Sequence, residues 1–288
     1  MITQKQFGDV VAVRLSWPRS QFAGYGVFVF VVRGALIDCG FPGIARSFGH
    51  LLGHLQPRGA FITHHHEDHA GNIELLAQQG IPIAMDADTS ALLQQPAPIG
   101  MYRHLMWKST PPLTTRVEPF ADPLLSLVPT PGHCSNHQAV WDAATGTVFS
   151  GDLFLGVKVR VAHVSENPRQ HVQSLRAMAA RHPDRLFCAH RGFVPNATRV
   201  LSAKADWLED FIARVEQLLD AGRNDRDIRR ELIGPLGATH YISAGDYSPN
   251  NLIASIRKTR PAAPPMTDSG AATPDAFIVT PPAPHAHQ

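Results

Sequence analysis

Three cysteines in 288 residues, Cys39, Cys134 and Cys188, are few, odd in number and scattered, which excludes a disulfide framework and fits a reducing compartment. Long apolar runs are equally scarce: Val27 to Val32 stops at Arg33, far short of a membrane span. The opening residues Met1-Ile2-Thr3-Gln4-Lys5-Gln6 show neither the basic region nor the apolar stretch of a secretion signal. A large charge of either sign is missing too. The formal net charge of +2 does not argue for a nucleic-acid partner, although it does not exclude one. These absences together predict a soluble, cytoplasmic protein with a small-molecule substrate and no membrane partner. The oligomeric state stays open.

What the chain has in quantity is histidine, 16 in all, and it concentrates four ligand-type side chains in six residues of the stretch Phe61-Ile62-Thr63-His64-His65-His66-Glu67-Asp68-His69-Ala70-Gly71-Asn72. A pattern H-x-H-x-D-H would arise by chance in about three such chains in a thousand. His64, His66, Asp68 and His69 offer imidazole nitrogen and carboxylate oxygen, donors that suit zinc and its first-row neighbours. A strand ending at Thr63 and a helix beginning near Ala70 would hold them in a tight loop on a rigid scaffold.

Residues 10–16 and 25–38, rich in Val, Phe, Leu and Ile, read as strands joined by turns and end at Asp38, which either ties down a turn or supports a metal ligand. A helix over 44–55 stops before Pro57; its His50 and His54, at i and i+4, read as a solvated face. A helix over 70–79, a strand at 81–85 and a helix at 87–94 follow, and then a Pro-rich segment, 95–123, reads as a long loop that either walls a pocket or fills core. Strands at 124–129, 147–149 and 185–189 are each followed at once by a candidate ligand: His133, Asp152 and His190. A hairpin joins strands 137–142 and 147–149, and a helix covers 168–181.

The ordered motifs T-H-H-H-E-D-H-A-G-N, P-T-P-G-H, S-G-D and A-H-R-G resemble those of the metallo-β-lactamase fold superfamily over roughly residues 8–200. The resemblance implies an α/β protein, an αβ/βα four-layer sandwich with metals at one edge of its sheets. It implies one metal on His64, His66 and His133, a second on Asp68, His69 and His190, and Asp152 bridging them. The cofactors would be two zinc ions, with iron or manganese as substitutes. Three protein ligands per metal plus a shared carboxylate leave positions for water and substrate, as catalysis requires. A metal-bridging hydroxide would then cleave a small ester, thioester or lactone, and Asp68 would be the catalytic residue that orients it and handles its proton.

The form T-H-H-H-x-D-H is similar to that of the glyoxalase II group of thioesterases. Two segments depart from that group, Leu153 to Arg160 after the bridging Asp and Arg191-Gly192-Phe193 after the last His, so no particular thiol carrier is implied. Two other activities on related folds stay open: a mononuclear-iron persulfide dioxygenase and a metal-dependent ribonuclease. In this pattern His65 and Glu67 point away from the metals, His137 has no place and reads as a support behind the ligands or as pocket wall, and Cys134 is surplus because His133 fills its role.

The division expected is a catalytic domain over 1–199, a C-terminal helical subdomain over 200–260 and a Pro/Ala-rich disordered tail over 261–288 containing His285 and His287. Helices are predicted from Asn196 to Gly222, from Asn224 to about Ile233 and from Ser248 to Lys258. The appendage resembles additions on some superfamily hydrolases, including forms with a winged-helix look. Arg223, Arg226, Arg229 and Arg230 alternate with acidic residues and read as a solvated face. Tyr241, Tyr247, Arg257 and Lys258, with Arg191, are the candidates to grip an anionic tail of the substrate.

Overall fold

The computed structural model describes residues 1–22 and 24–261. Its first sheet is built in chain order from β1 (Ile2–Phe7), β2 (Val10–Leu15), β3 (Val27–Val32), β4 (Ala35–Ile37), β5 (Gly59–Phe61) and β6 (Ile83–Ala84), antiparallel through β4 and parallel from there. Helices α1 (Pro18–Phe22), α2 (Ala45–Leu55), α3 (Ile73–Gln78), α4 (Ala87–Gln94) and α5 (Met101–Trp107) lie between and after these strands. The second sheet takes β7 (Leu125–Pro129), β8 (Gln138–Asp142) and β9 (Thr147–Phe149); beyond β10 (Ala162–His163) and helix α6 (Pro168–Ala179) it adds β11 (Arg185–Cys188) and β12 (Gly192–Val194). The chain closes with α7 (Ala197–Asp220), α8 (Asp225–Leu232), α9 (Ala238–Ile242), β13 (Tyr247–Ser248), which pairs with β10, and α10 (Pro249–Lys258).

Side-chain alternation sorts the layers. In β2 and β3, Val10, Ala12, Phe30 and Val32 meet Leu125, Val140, Phe149 and Phe187 of the other sheet, while Val13, Leu15, Val27 and Val29 turn outward onto α2 and α3. Val148, Leu186 and Cys188 turn outward from the second sheet onto α6, α7 and α10. The order is therefore helix, sheet, sheet, helix, the four-layer sandwich that the resemblance implies. At its centre Phe30, Phe149 and Phe187 sit with ring centroids 5.4 Å apart in every pair, and removing one ring would cost about 3–5 kcal/mol.

Helix ends follow local chemistry. Asp86, Asn167, Asn224 and Ser248 accept from backbone N–H groups at the starts of α4, α6, α8 and α10, and α2 stops at a left-handed Gln56 just before Pro57.

Two expectations change, and one strand forms where the sequence announced none. Residues 95–123 are not all loop, because α5 forms inside them and buries Arg103 and Trp107. The boundary at 199/200 falls inside α7, and that helix shares one core with α6 and the second sheet, so residues 200–260 do not have a core of their own. β1 pairs with β2 along its whole length although its residues show no apolar alternation. The Pro/Ala-rich tail, with His285 and His287, lies outside the described residues. Among the described residues no helix is long and apolar enough to cross a membrane.

Candidate metal centre

β4 and β5 run parallel, as do β9 and β11; β7 shares the direction of β9 because β8 is antiparallel to both. The loops leaving the carboxyl ends of these strands therefore gather at the same edge of the sandwich. They carry Asp38 after β4, His64 to His69 after β5, His133 after β7, Asp152 after β9 and His190 after β11. Gly71 belongs to the turn that closes the first loop: a Cβ there would stand 2.2 Å from the Glu67 carbonyl oxygen and 2.4 Å from Pro42, so only glycine fits.

The seven sequence candidates come together in two sets. His64, His66, His133 and Asp152 each bring a donor atom within 4.8 Å of the others, and so do Asp68, His69 and His190. Asp152 faces both ways, with Oδ2 3.3 Å from His133 Nε2 and Oδ1 3.3 Å from the Nε2 atoms of His69 and His190. Asp68 Oδ2 lies 3.3 Å from His190 Nε2, and His66 Nδ1 lies 3.0 Å from His133 Nε2.

Hydrogen bonds behind the cluster decide which ring nitrogen faces it. Asp38, 2% exposed, accepts from the Thr63 backbone N–H (2.8 Å), from Thr63 Oγ1 (2.9 Å) and from His69 Nδ1 (2.8 Å). Since the Thr63 hydroxyl gives its one proton to Asp38, His64 Nδ1 must be the donor in its 3.0 Å contact with Thr63 Oγ1. His190 Nδ1 likewise donates to the Gly26 carbonyl at 3.2 Å, and Glu166 stands 3.5 Å from His133 Nδ1. In these rings Nδ1 faces the supporting groups and Nε2 faces the cluster. His64 Nε2, His69 Nε2 and Asp152 Oδ1 are buried without any hydrogen-bond partner among the described residues, an arrangement that is costly unless something electropositive meets them. The donor set and its orphaned atoms fit divalent first-row metal.

The electrostatics agree. Burial and the neighbouring imidazoles hold His64 and His66 well below the ordinary histidine range, so both are neutral donors. Burial alone would depress His69 and His190 as well, but the carboxylates of Asp152 and Asp68 outweigh it and hold both well above that range. The carboxylates thus draw positive charge into the cluster.

The flanking residues take separate roles. His65 turns away to Asn136 (2.8 Å). His137, held down to about 3 by burial and by His133, accepts the Asp152 backbone N–H at 3.0 Å and so fixes that loop. Glu67 receives Arg103 from α5 in a two-pronged ion pair, with Nε to Oε1 at 2.7 Å and Nη2 on Oε2. Cys134 is buried and its thiol is pushed up by burial, which makes it a poor ligand. His50 and His54 are exposed on α2, where His54 Nδ1 donates to the His50 carbonyl.

A cavity of about 370 Å³ opens on the cluster, walled by Tyr25, Tyr102, Trp107 and Tyr247 and reached by Arg14 and Arg103. A second, of about 490 Å³, lies across His66, Glu67 and Arg103. Tyr247 is therefore at the site, and Arg191 is exposed with Nη1 3.5 Å from the carbonyl of the cavity residue Leu155. Arg257 and Lys258, expected to grip a substrate tail, line neither cavity: Arg257 is exposed and pairs with Asp225 (2.9 Å), and Lys258 is exposed beside it. Tyr241 is exposed on α9 and lines neither cavity. Arg14, Tyr25 and Arg103 were not legible as site residues, because each reaches the cluster from an element far away in sequence and none belongs to a motif.

A curated relative, the protein YobT of Bacillus subtilis (strain 168), is 26% identical over 186 residues, covering 55% of this chain and 78% of that protein. Among solved structures, the metallo-beta-lactamase family protein TTHA1429 from Thermus thermophilus matches 88% of this chain and 94% of its own, with a TM-score of 0.64 at 14% identity. The metallo-beta-lactamase FIM-1 from Pseudomonas aeruginosa, solved in its mono-zinc form, matches 73% of this chain and 95% of its own, with a TM-score of 0.56 at 17% identity. At such identities the likeness is one of fold. The family model described as Metallo-beta-lactamase superfamily matches residues 24–190, more than half of the chain and the span that holds every member of the cluster, and the chain belongs to that superfamily.

Proposed function

We propose that the protein is a hydrolase with two metal ions, zinc in the first instance, acting on a small ester, thioester or lactone. The observation that carries this reading is the division of seven converged side chains into two donor sets with Asp152 facing both, together with the partnerless buried atoms of His64, His69 and Asp152. His64, His66 and His133 would hold one ion, Asp68, His69 and His190 the other, and Asp152 both. Bound there, the pair supplies activated water near neutral pH and a Lewis acid for a carbonyl oxygen.

The chain's own residues do the remainder. Asp68 lines the cavity and is placed to orient the attacking water and accept its proton at a carboxylate oxygen. Tyr247 keeps its proton, because burial pushes its phenol up, and is placed to donate a hydrogen bond to the substrate. Tyr102 and Trp107 exclude water from one wall. The cavity volume suits a small molecule rather than a polymer.

Metal counting on the purified protein and a panel of esters, thioesters and lactones test the reading. Two zinc ions per chain and turnover that Asp152→Ala abolishes are expected. One tightly held iron with persulfide oxidation, or cleavage of single-stranded RNA lost in Asp68→Ala, would replace it.

A further inference from the structure

We infer that the substrate of this site carries an oxyanion, a carboxylate in its simplest form, and that Arg14 is the residue that receives it; this rests on the hydrolase reading above. Arg14 is the penultimate residue of β2, half-buried, and lines the same cavity as Asp68, Asp152 and His190. Its guanidinium lies flat against Gly26, where a Cβ would come within 2.9 Å of Nη2 and 3.0 Å of Cζ. The Gly26 carbonyl in turn accepts from His190 Nδ1 at 3.2 Å, which places the Arg14 head one residue away from the second donor set.

Of the other guanidiniums near the site or on the same sheet, Arg191 is exposed with only a 3.5 Å contact to the Leu155 carbonyl, and two are committed to carboxylates. Arg103 is held two-pronged by Glu67, and Arg33 lies between Asp9 and Asp142 at 3.1 and 2.9 Å. Glu166, the remaining carboxylate of the cavity, faces His133. Arg14 has neither an ion pair nor a side-chain hydrogen bond to any described residue. A cation with a planar fork of N–H donors, lining a concave site together with Tyr25, Tyr102 and Trp107, has the shape and charge to take the two oxygens of a carboxylate. The substrate then spans the cavity: its scissile carbonyl lies at the metal cluster, its apolar middle along the aromatic wall and its anionic end on Arg14.

Calorimetric binding of ω-mercapto carboxylic acids and the matching mercapto amides, in a graded series of chain lengths, to the zinc-loaded protein tests this, because the thiol anchors each probe on the metal and only the far end differs. At the length that fits, the acid is expected to bind about ten- to a hundredfold tighter than its amide. Arg14→Met should erase that preference while leaving amide binding unchanged, which also shows that the variant is folded, and Arg14→Lys should keep part of it. Equal binding of acid and amide at every length, or a preference that survives in Arg14→Met, overturns the assignment and leaves the metal centre standing. Failure of every thiol to bind overturns both.

Discussion

Replacing Arg103 by methionine isolates the ion pair between α5 and the His64 to His69 loop. Glu67 is 3% exposed and Arg103 8%, and two hydrogen bonds join them. Removing one member of a buried pair leaves the other charge uncompensated and costs about 3–5 kcal/mol. For a folded body of this size that lowers the melting temperature by about 6–15 °C. Burial already raises the Glu67 carboxyl against the opposing pull of Arg103, and without Arg103 it rises further. The folded variant then binds a proton more readily than the unfolded chain does. Its deficit relative to the parent should be smallest below the ordinary glutamate pKa and should grow as pH rises through the elevated one. Adding Glu67→Gln removes the stranded charge, so the double variant should regain at least half of the lost stability. Thermal melts of the parent, both single variants and the double across a pH series measure all of this. A single variant melting within about 2 °C of the parent, or a double variant no better than Arg103→Met, would refute the assignment of the pair as the brace of the loop.

Three further outcomes follow. Lys204, 2% exposed on α7 and donating to the Leu153 carbonyl (2.8 Å), is pushed down to about 8 by burial; at this group the folded protein is less protonated than the unfolded chain between pH 8 and 10.5, so the stability of the parent relative to Lys204→Met should rise by about 3 kcal/mol across that window, as paired chemical denaturation would show. Cys39, Cys134 and Cys188 are all buried with thiols raised chiefly by burial, so a thiol-titrating disulfide reagent near pH 8 should react slowly with the native chain and with all three thiols after denaturation. Stripping metal with a strong chelator should lower the melting temperature and readdition of zinc should restore it, because bound cations would meet the orphaned atoms of His64, His69 and Asp152 and bind the folded state alone; a melt indifferent to chelator would count against the centre.

The donor residues were legible because the chemistry demands particular side chains and the fold places each straight after a strand. His64, His133, Asp152 and His190 all follow apolar runs that the eye can find. The sandwich itself came from a resemblance of motifs, since alternation in Val10 to Leu15 or Val27 to Val32 announces strands but not which sheet they join. β1 was illegible because Thr3, Gln4, Lys5 and Gln6 occupy an edge that needs no apolar face. α5 was hidden among prolines. The partnership of Glu67 with Arg103 and the placement of Arg14 on Gly26 are products of tertiary packing, which no spacing rule reports.

Asp38 stands just after β4 with a left-handed backbone, φ 59°; its Oδ2 reaches the His69 ring directly and the His64 ring through the Thr63 hydroxyl, while Oδ1 holds the Thr63 backbone N–H. A single carboxylate thus steers one imidazole in each half of the cluster. On the two-ion reading proposed above, substitution at that position would disturb both donor sets and shift both loading curves together.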